Sequence, residues 1–375
     1  MTHKSIVIVG GGPVGLTMAL KLAKQGKKVT VIDQGIVKQQ DARVLALSFA
    51  SCNILNELGA WPNELTTAIN CVQISHQGLG ITQIHAHELQ LEQLGSTIKY
   101  ANLCTHLDAI VANEPLIQFI CANVTNVYDG PEFATIEYND TQQSEQLITA
   151  ELVIMAEGGK LLADKPKKIN HDYAQQALIF HIKTLAKHAN LAHERFGGIG
   201  PLVLLPFEEH YVVVWSLKSE LAEQFKVDHS QLMQALYAEF TQRLGGATLL
   251  DEPVSFPLRL TQVQKRLQKR IILIGNSAQT VHPVSAQGLN LGLRDVVHLS
   301  NLMAEDAEID LTTLQRYDQL RNKDVNAVIS FTHLLATKLE SNNKLLAHLR
   351  GAGVIALSNL PQIKNFVARS LIFGL

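Results

Sequence analysis

The chain has 375 residues, 46% apolar and 18% charged, with 32 basic against 34 acidic side chains and a formal net charge of −2. That balance excludes a disordered chain, and with 24 glycines and 11 prolines it excludes collagen-like and low-complexity classes. Nucleic-acid binding normally needs a basic surface to replace phosphate counterions, so no nucleic-acid partner is expected.

In chain order, the apolar run at 5–9 reads as a buried parallel strand. Glycines follow, then an amphipathic stretch at 13–25 that opens on Pro13 and closes on Gly26, as helix termini favour. A second apolar strand at 29–32 completes a βαβ unit. Segment 42–59 is predicted mostly helical, closed by Trp61 and Pro62, and 72–84 extended. Segment 107–124 is predicted helical with a break near Pro115. Strands are predicted at 132–138 and 146–156, and a second sheet from the runs at 177–181, 202–205 and 211–217. A helix at 231–244, a strand at 270–274, a glycine-containing loop and a helix at 289–303 follow, and 311–375 reads as helices. The pattern is that of an α/β protein: a doubly wound nucleotide domain, interrupted by a second sheet, to which the strand at 270–274 returns.

Gly10, Gly12 and Gly15 form G-x-G-x-x-G between the first strand and the first helix. The first glycine permits the turn, the second admits a pyrophosphate to the backbone, and the third lets helix and strand pack closely. Asp33 ends the second strand about 20 residues on, where an acid accepts hydrogen bonds from a ribose hydroxyl. The loop points to a dinucleotide without separating NAD from FAD. A later strand ends in Gly275, a loop carries Pro283 and Gly288, and a helix begins near Leu289. This is another helix N-terminus aimed at an electron-rich group.

The stretch 275–295 resembles the second FAD motif of class A flavoprotein monooxygenases, G-D-A-A-H-x-x-x-P followed by G-x-G-x-N-x-x-x-x-D. D-A-R-V-L-A-L-S at 41–48 resembles the D-x-R-x-x-A-L-S segment of the ubiquinone-biosynthesis hydroxylases. G-N-S-A-Q-T-V-H-P at 275–283, and the segment from Glu194 to Pro206, are similar to the branch that hydroxylates 2-octaprenyl-6-methoxyphenol. The resemblance covers essentially the whole chain.

The resemblance implies a Rossmann-like FAD-binding domain from 1–70, 100–170 and 265–310, an inserted mixed-sheet (α+β) substrate domain from 71–99 and 171–264, and a helical C-terminal region, 311–375. It implies that Gly10, Gly12, Gly15 and Asp33 hold the ADP half of FAD and that Arg43 lies close to the flavin. Asn276, with Gly275, stands where most members use Asp to bind the flavin-side ribose, and Asn keeps hydrogen-bonding capacity without the charge. Gln287, Gly288, Leu289 and Asn290 would border the pyrimidine end of the ring. Glu157, in M-A-E-G-G at 155–159, occupies the place of the family's A-D-G aspartate with an added methylene. His282 and Pro283 complete the flavin-proximal candidates with Arg43 and Gln287. No catalytic acid or base is assigned, because a phenol substrate supplies its own electrons.

The activity implied is hydroxylation para to the hydroxyl of a 2-polyprenyl-6-methoxyphenol, with NAD(P)H and O2 as co-substrates, through a C4a-hydroperoxyflavin. A reductase or dehydrogenase on the same fold remains open. So does a non-catalytic subunit of a biosynthetic complex, which Glu157 and Asn276 in place of two aspartates would suit. The four cysteines contain no C-x-x-C pair and read as small buried hydrophobes of a reducing compartment. Of the 15 histidines, His85 and His87 share a face of a predicted strand without a third ligand at a recognisable spacing, so no metal is expected. The opening residues have no signal-peptide form, and no apolar run reaches the roughly 18 residues of a membrane span, so a cytoplasmic protein is expected. From 341 to 375 there is no Asp or Glu, while Lys344, Arg350, Lys364 and Arg369 stand among apolar residues. That tail is read either as a peripheral contact with the inner membrane or as helix docked on the body.

Overall fold

A computed structural model describes residues 2–35, 41, 43–76, 80–161, 166–240, 245–305, 311–338 and 359–374. The helices in chain order are α1 (Pro13–Lys24), α2 (Phe49–Glu57), α3 (Tyr100–Ala112), α4 (Ser219–Val227), α5 (His229–Phe240), α6 (Gln287–Glu305), α7 (Leu311–Lys338) and α8 (Pro361–Phe373).

The first sheet is built on Thr2–Val9, whose Ile6 to Val9 are buried on both faces, as a covered parallel strand requires. It pairs in parallel with Val29–Asp33 on one side and Glu145–Met155 on the other. Ile271–Leu273 also lies parallel to Glu145–Met155, so the late strand does return to this sheet. Ala134–Asn139 and Asn123–Tyr128 extend it as antiparallel neighbours. Helix α1 packs its Leu16, Met18 and Leu22 into the core that α6 fills with Leu293, Val296 and Leu299.

The second sheet has nine strands, mostly antiparallel, centred on the 18-residue strand Lys167–Thr184. Cys71–His76 joins it in parallel with Leu191–Gly197 and carries Ile81–His85 at the sheet's edge. A third, three-stranded sheet of Val44–Ser48, Gly95–Lys99 and Thr66–Ile69 lies antiparallel.

Two sequence expectations are corrected. Segment 42–59 is not mostly helix: Val44–Ser48 is a strand, because its apolar residues pair with Gly95–Lys99, and helix begins only at Phe49, with the Ser48 hydroxyl accepting from the Ser51 N–H. Segment 107–124 is not an interrupted helix. It is the end of α3 followed by Ile117–Cys121, paired in parallel with Val29–Asp33, and by Asn123–Tyr128. Propensity yields to a sheet edge that offers a partner. Of the cysteines, Cys52, Cys71 and Cys104 are buried but Cys121 is exposed, and all four are free thiols.

Helix α7 is fixed to α6 by buried charge. Arg321 donates from Nε to Asp295 (2.6 Å) and from a terminal nitrogen to Asp324 (2.5 Å), and Arg294 donates to the other Asp324 oxygen (3.2 Å). Arg321 and Asp295 are fully buried. Removing one partner of such a pair leaves an uncompensated charge. Arg321→Met is therefore expected to lower the unfolding free energy by about 3–5 kcal/mol in denaturant titration, and a loss below about 1 kcal/mol would contradict this account.

Candidate functional site

One cavity of about 980 Å³ lies where the three sheets and α1, α6 and α8 meet. Its walls change in character from end to end. One end is polar and glycine-rich: Gly10, Gly12, Asp33, Gln34, Glu157 and Asn276. The other is mostly aliphatic, with Val72, Ile74, Ile84, Leu94, Val203 and Leu205 prominent, and it also carries Glu194, in register beside Ile74 and Val203.

The polar end is made by close backbone approach. A Cβ on Gly10, where φ is +111°, would lie 2.6 Å from the Ala156 backbone. A Cβ on Gly15 would lie 2.0 Å from the Gly10 carbonyl oxygen, so this glycine supports the wall from behind rather than facing the cavity. Gly12 caps α1 with no side-chain hydrogen bond, and no acidic residue stands in that first turn. The first N–H groups of α1 thus meet the cavity with the positive end of the helix dipole. Helix α6 also begins at the cavity, through Gln287, Gly288, Leu289 and Asn290, again without an acid in its first turn. A Cβ on Gly288 would meet nothing within 4 Å. Two helix N-termini and an open glycine cradle fit a ligand that carries phosphates.

Asp33 accepts from the N–H groups of Gly11 (2.7 Å) and Gly35 (2.9 Å), which fixes its carboxylate at the cavity wall. The carboxylate has acceptor positions beyond these two. Glu157 is more committed. Its oxygens accept from the N–H groups of Gly159 (2.9 Å), Lys160 (2.6 Å) and Leu161 (3.2 Å) and from the Ser277 hydroxyl (3.2 Å). The added methylene lets this carboxylate close the loop at 158–161 and tie it to the turn Gly275–Ser277. Asn276 is exposed on the cavity wall. Gly275 stands behind it at φ +58°, packed on Val14, with its N–H donating to Asp295 (2.9 Å).

Arg43 lines the cavity and is held by Asp41, to which its Nε donates at 2.8 Å and a terminal nitrogen at 2.5 Å. Its guanidinium lies over the rings of Tyr100 (5.0 Å) and Phe256 (5.8 Å). The hydrogen bond to Asp41 raises its pKa above the ordinary arginine value, so it stays charged. Gln287 accepts from Arg294 (3.0 Å) and donates to the Leu371 carbonyl (3.3 Å), so its amide has one orientation. Asn290 accepts from the Ser48 N–H (2.9 Å) and donates to the Ala46 and Ala286 carbonyls, sewing Val44–Ser48 to α6.

Pro283 is on the wall, but His282 is not. His282 is fully buried, with Nδ1 accepting from the Val284 N–H (3.2 Å), its ring edge-on to Tyr173, and Nε2 unpartnered among the described residues. Burial, with the nearby His333, lowers its pKa to about 4. Among the described residues no group of three or more His, Cys, Asp or Glu side chains could hold a metal ion. His85 and His87 have ring centroids 5.1 Å apart, with the Cys71 sulfur 3.8 Å from His85 Nε2.

The sequence reading missed several wall residues. Tyr100, Lys160 and Phe256 carried no motif. Ala368, Leu371 and Ile372 of α8 did carry a signal, since their spacing puts them on one helix face.

A family model described as an FAD binding domain matches residues 3–332. The chain is 27% identical to a 3-demethoxyubiquinol 3-hydroxylase of Escherichia coli, covering 96% of each chain. It is 25% identical to a ubiquinone hydroxylase of Rhodospirillum rubrum, over 97% of this chain and 88% of that one. Its structure is similar to p-nitrophenol 4-monooxygenase of Pseudomonas putida, with a TM-score of 0.80 and 15% identity over 99% of both chains.

Two predictions follow from the geometry. Gly288→Val places its side chain in the open cradle, so the apoprotein should melt within about 2 °C of the parent while flavin affinity falls at least about tenfold, read by flavin fluorescence quenching. Equal affinity would remove α6 from the cofactor site. His282, held at about 4 in the fold against an ordinary 6.5, favours the unfolded chain as pH drops through that window. His282→Gln should therefore lose less thermal stability than the parent between pH 6.5 and 4. An unchanged slope would contradict the buried neutral imidazole.

Proposed function

This chain belongs to the FAD-binding-domain family, and from that premise we propose that it is an FAD-dependent monooxygenase hydroxylating the open para carbon of a 2-polyprenyl-6-methoxyphenol in ubiquinone biosynthesis, using NAD(P)H and O2. The observation that supports this reading is the cavity itself, with two helix N-termini at one end and an aliphatic chamber at the other. A dinucleotide suits the first, and a phenol with an apolar tail suits the second.

Bound FAD, reduced by NAD(P)H, supplies the activation of dioxygen. The residues of the chain would do the rest. Gly10, Gly12 and the start of α1 bind the pyrophosphate, with Gly15 behind them, and Asp33 accepts from the adenosine ribose. Asn276 meets the flavin-side ribose chain, carried on the Gly275 turn. Gln287, Gly288, Leu289 and Asn290 border the ring, where the N–H groups of α6 favour negative charge. Arg43, paired with Asp41, places its guanidinium near the same end, and Pro283 shapes the wall. The aliphatic residues exclude water and hold the phenol ring and its tail. The phenol hydroxyl activates the ortho and para carbons, and with both ortho positions substituted only the para carbon is open.

The E. coli relative, named a 3-demethoxyubiquinol 3-hydroxylase, favours a second reading in which ring carbon 3 of a demethoxyubiquinol is hydroxylated. A multi-protein biosynthetic complex would deliver such lipid-tailed substrates. Among the described residues no helix is long and apolar enough to cross a membrane. Lys364 and Arg369 are engaged with Glu88 and the Leu89 carbonyl, and Lys344 and Arg350 lie outside the described residues.

The test is turnover under ¹⁸O₂ with NADH or NADPH and either a short 2-prenyl-6-methoxyphenol or a short-chain demethoxyubiquinol. One labelled oxygen in the hydroquinone from the phenol is expected. Label in the demethoxyubiquinol product alone would favour the second reading, and oxidation of NAD(P)H without label in either product would make the chain a reductase.

A further inference from the structure

The aliphatic end of the cavity is closed by a segment distant in sequence from both glycine loops. Ala368, Leu371 and Ile372 line it from α8, and Ala368 and Ile372 pack with Ile84, Ala86, Leu89 and Leu94 around the edge strand Ile81–His85. The helix is tied down along its length. Lys364 donates to Glu88 (2.8 Å) and to the Gln83 carbonyl (3.2 Å), and Arg369 to the Leu89 carbonyl (3.0 Å). Its last turn is held from the polar side of the cavity, where the Ser48 hydroxyl donates to the Ile372 carbonyl (3.0 Å) and Gln287 to the Leu371 carbonyl (3.3 Å).

We propose that α8 is the specificity-determining wall for the substrate's apolar tail, and that Ala368 sets the length of tail the cavity accepts. This rests on the reading of the cavity as a monooxygenase site. Ala368 carries the smallest side chain on the inward face of α8, and the five hydrogen bonds keep that face from retreating. A larger side chain at 368 must project into the chamber, because the close-packed interior around it has no slack. Ile372, one turn on, is branched and fills the same wall, so shortening it lengthens the chamber. Beside α8 the tail is chosen by volume, since its neighbours there, Ile84 and Leu94, offer no polar partner; Glu194, in register beside Ile74 and Val203, is the polar group on the facing wall.

The experiment uses the FAD-loaded full chain and a series of 2-prenyl-6-methoxyphenols carrying one, two, three or more isoprene units. In parallel, the tail-only probes geraniol and farnesol are titrated by calorimetry. For the parent, kcat/KM rises with tail length and farnesol binds more tightly than geraniol. In Ala368→Phe the ratio of long-tail to short-tail kcat/KM falls about tenfold, as expected when an isoprene unit loses its buried site, and the preference for farnesol disappears. Ile372→Ala moves the ratio the other way, which keeps the test decisive if Ala368→Phe does not fold. Equal losses on every tail length, with the farnesol preference intact, would overturn the proposal. Farnesol discrimination that depends on residue 368 without any phenol hydroxylation would overturn the monooxygenase reading instead and leave α8 as the tail wall.

Discussion

The carboxylate of Asp295 stands at the junction on which the cavity depends. It accepts from the Gly275 N–H, from the Gln279 amide (3.0 Å) and from Arg321. Burial pushes this carboxyl up, but the charges of Arg321 and Arg266 outweigh it and hold it below the usual range, so it stays ionised. From Arg321 the contacts continue through Asp324 and Arg294 to Gln287, and from Gln287 to the carbonyl of Leu371 in α8. One buried polar chain therefore runs from the turn beneath Asn276 to the helix that closes the opposite end. Such a chain is costly unless every member is paired, and here each link has a partner of opposite character. It fixes α6, and with it one of the two helix N-termini that meet the cavity.

The departures from the family pattern become intelligible at the level of single atoms. Glu157, where the resemblance implies a shorter acid, carries its carboxylate onto the Gly159, Lys160 and Leu161 N–H groups and the Ser277 hydroxyl. The acid thus joins two loops on the same wall. Asn276, where the resemblance implies an aspartate, is a neutral amide on a cavity wall that two helix starts also meet, so it leaves their positive potential intact.

Much of this was legible in the sequence because it rests on local backbone chemistry. Gly10 and Gly15 sit where a side chain would collide with neighbouring backbone, Gly12 lines the cavity, and Asp33 ends a strand whose apolar run is unmistakable. The late glycine loop and α6 were readable for the same reason. What escaped depends on pairing across long stretches of chain. Val44–Ser48 reads as helix until Gly95–Lys99 is placed beside it, and Ile117–Cys121 reads as helix until it meets Val29–Asp33. His282, one residue from a cavity-lining proline, points into the core instead, which no spacing reveals. The basic tail left lipid contact and a docked helix both open, because sequence shows charge without its partner: Lys364 faces Glu88, 276 residues away in the chain.

The most direct measurement is a crystal structure of the protein soaked with FAD and a prenylated methoxyphenol. The account predicts pyrophosphate density at the start of α1, the adenosine ribose beside Asp33, the flavin ring against Gln287 to Asn290, and the tail running toward Ala368 and Ile372. A flavin seated elsewhere, or a tail leaving the cavity away from α8 into solvent, would contradict it.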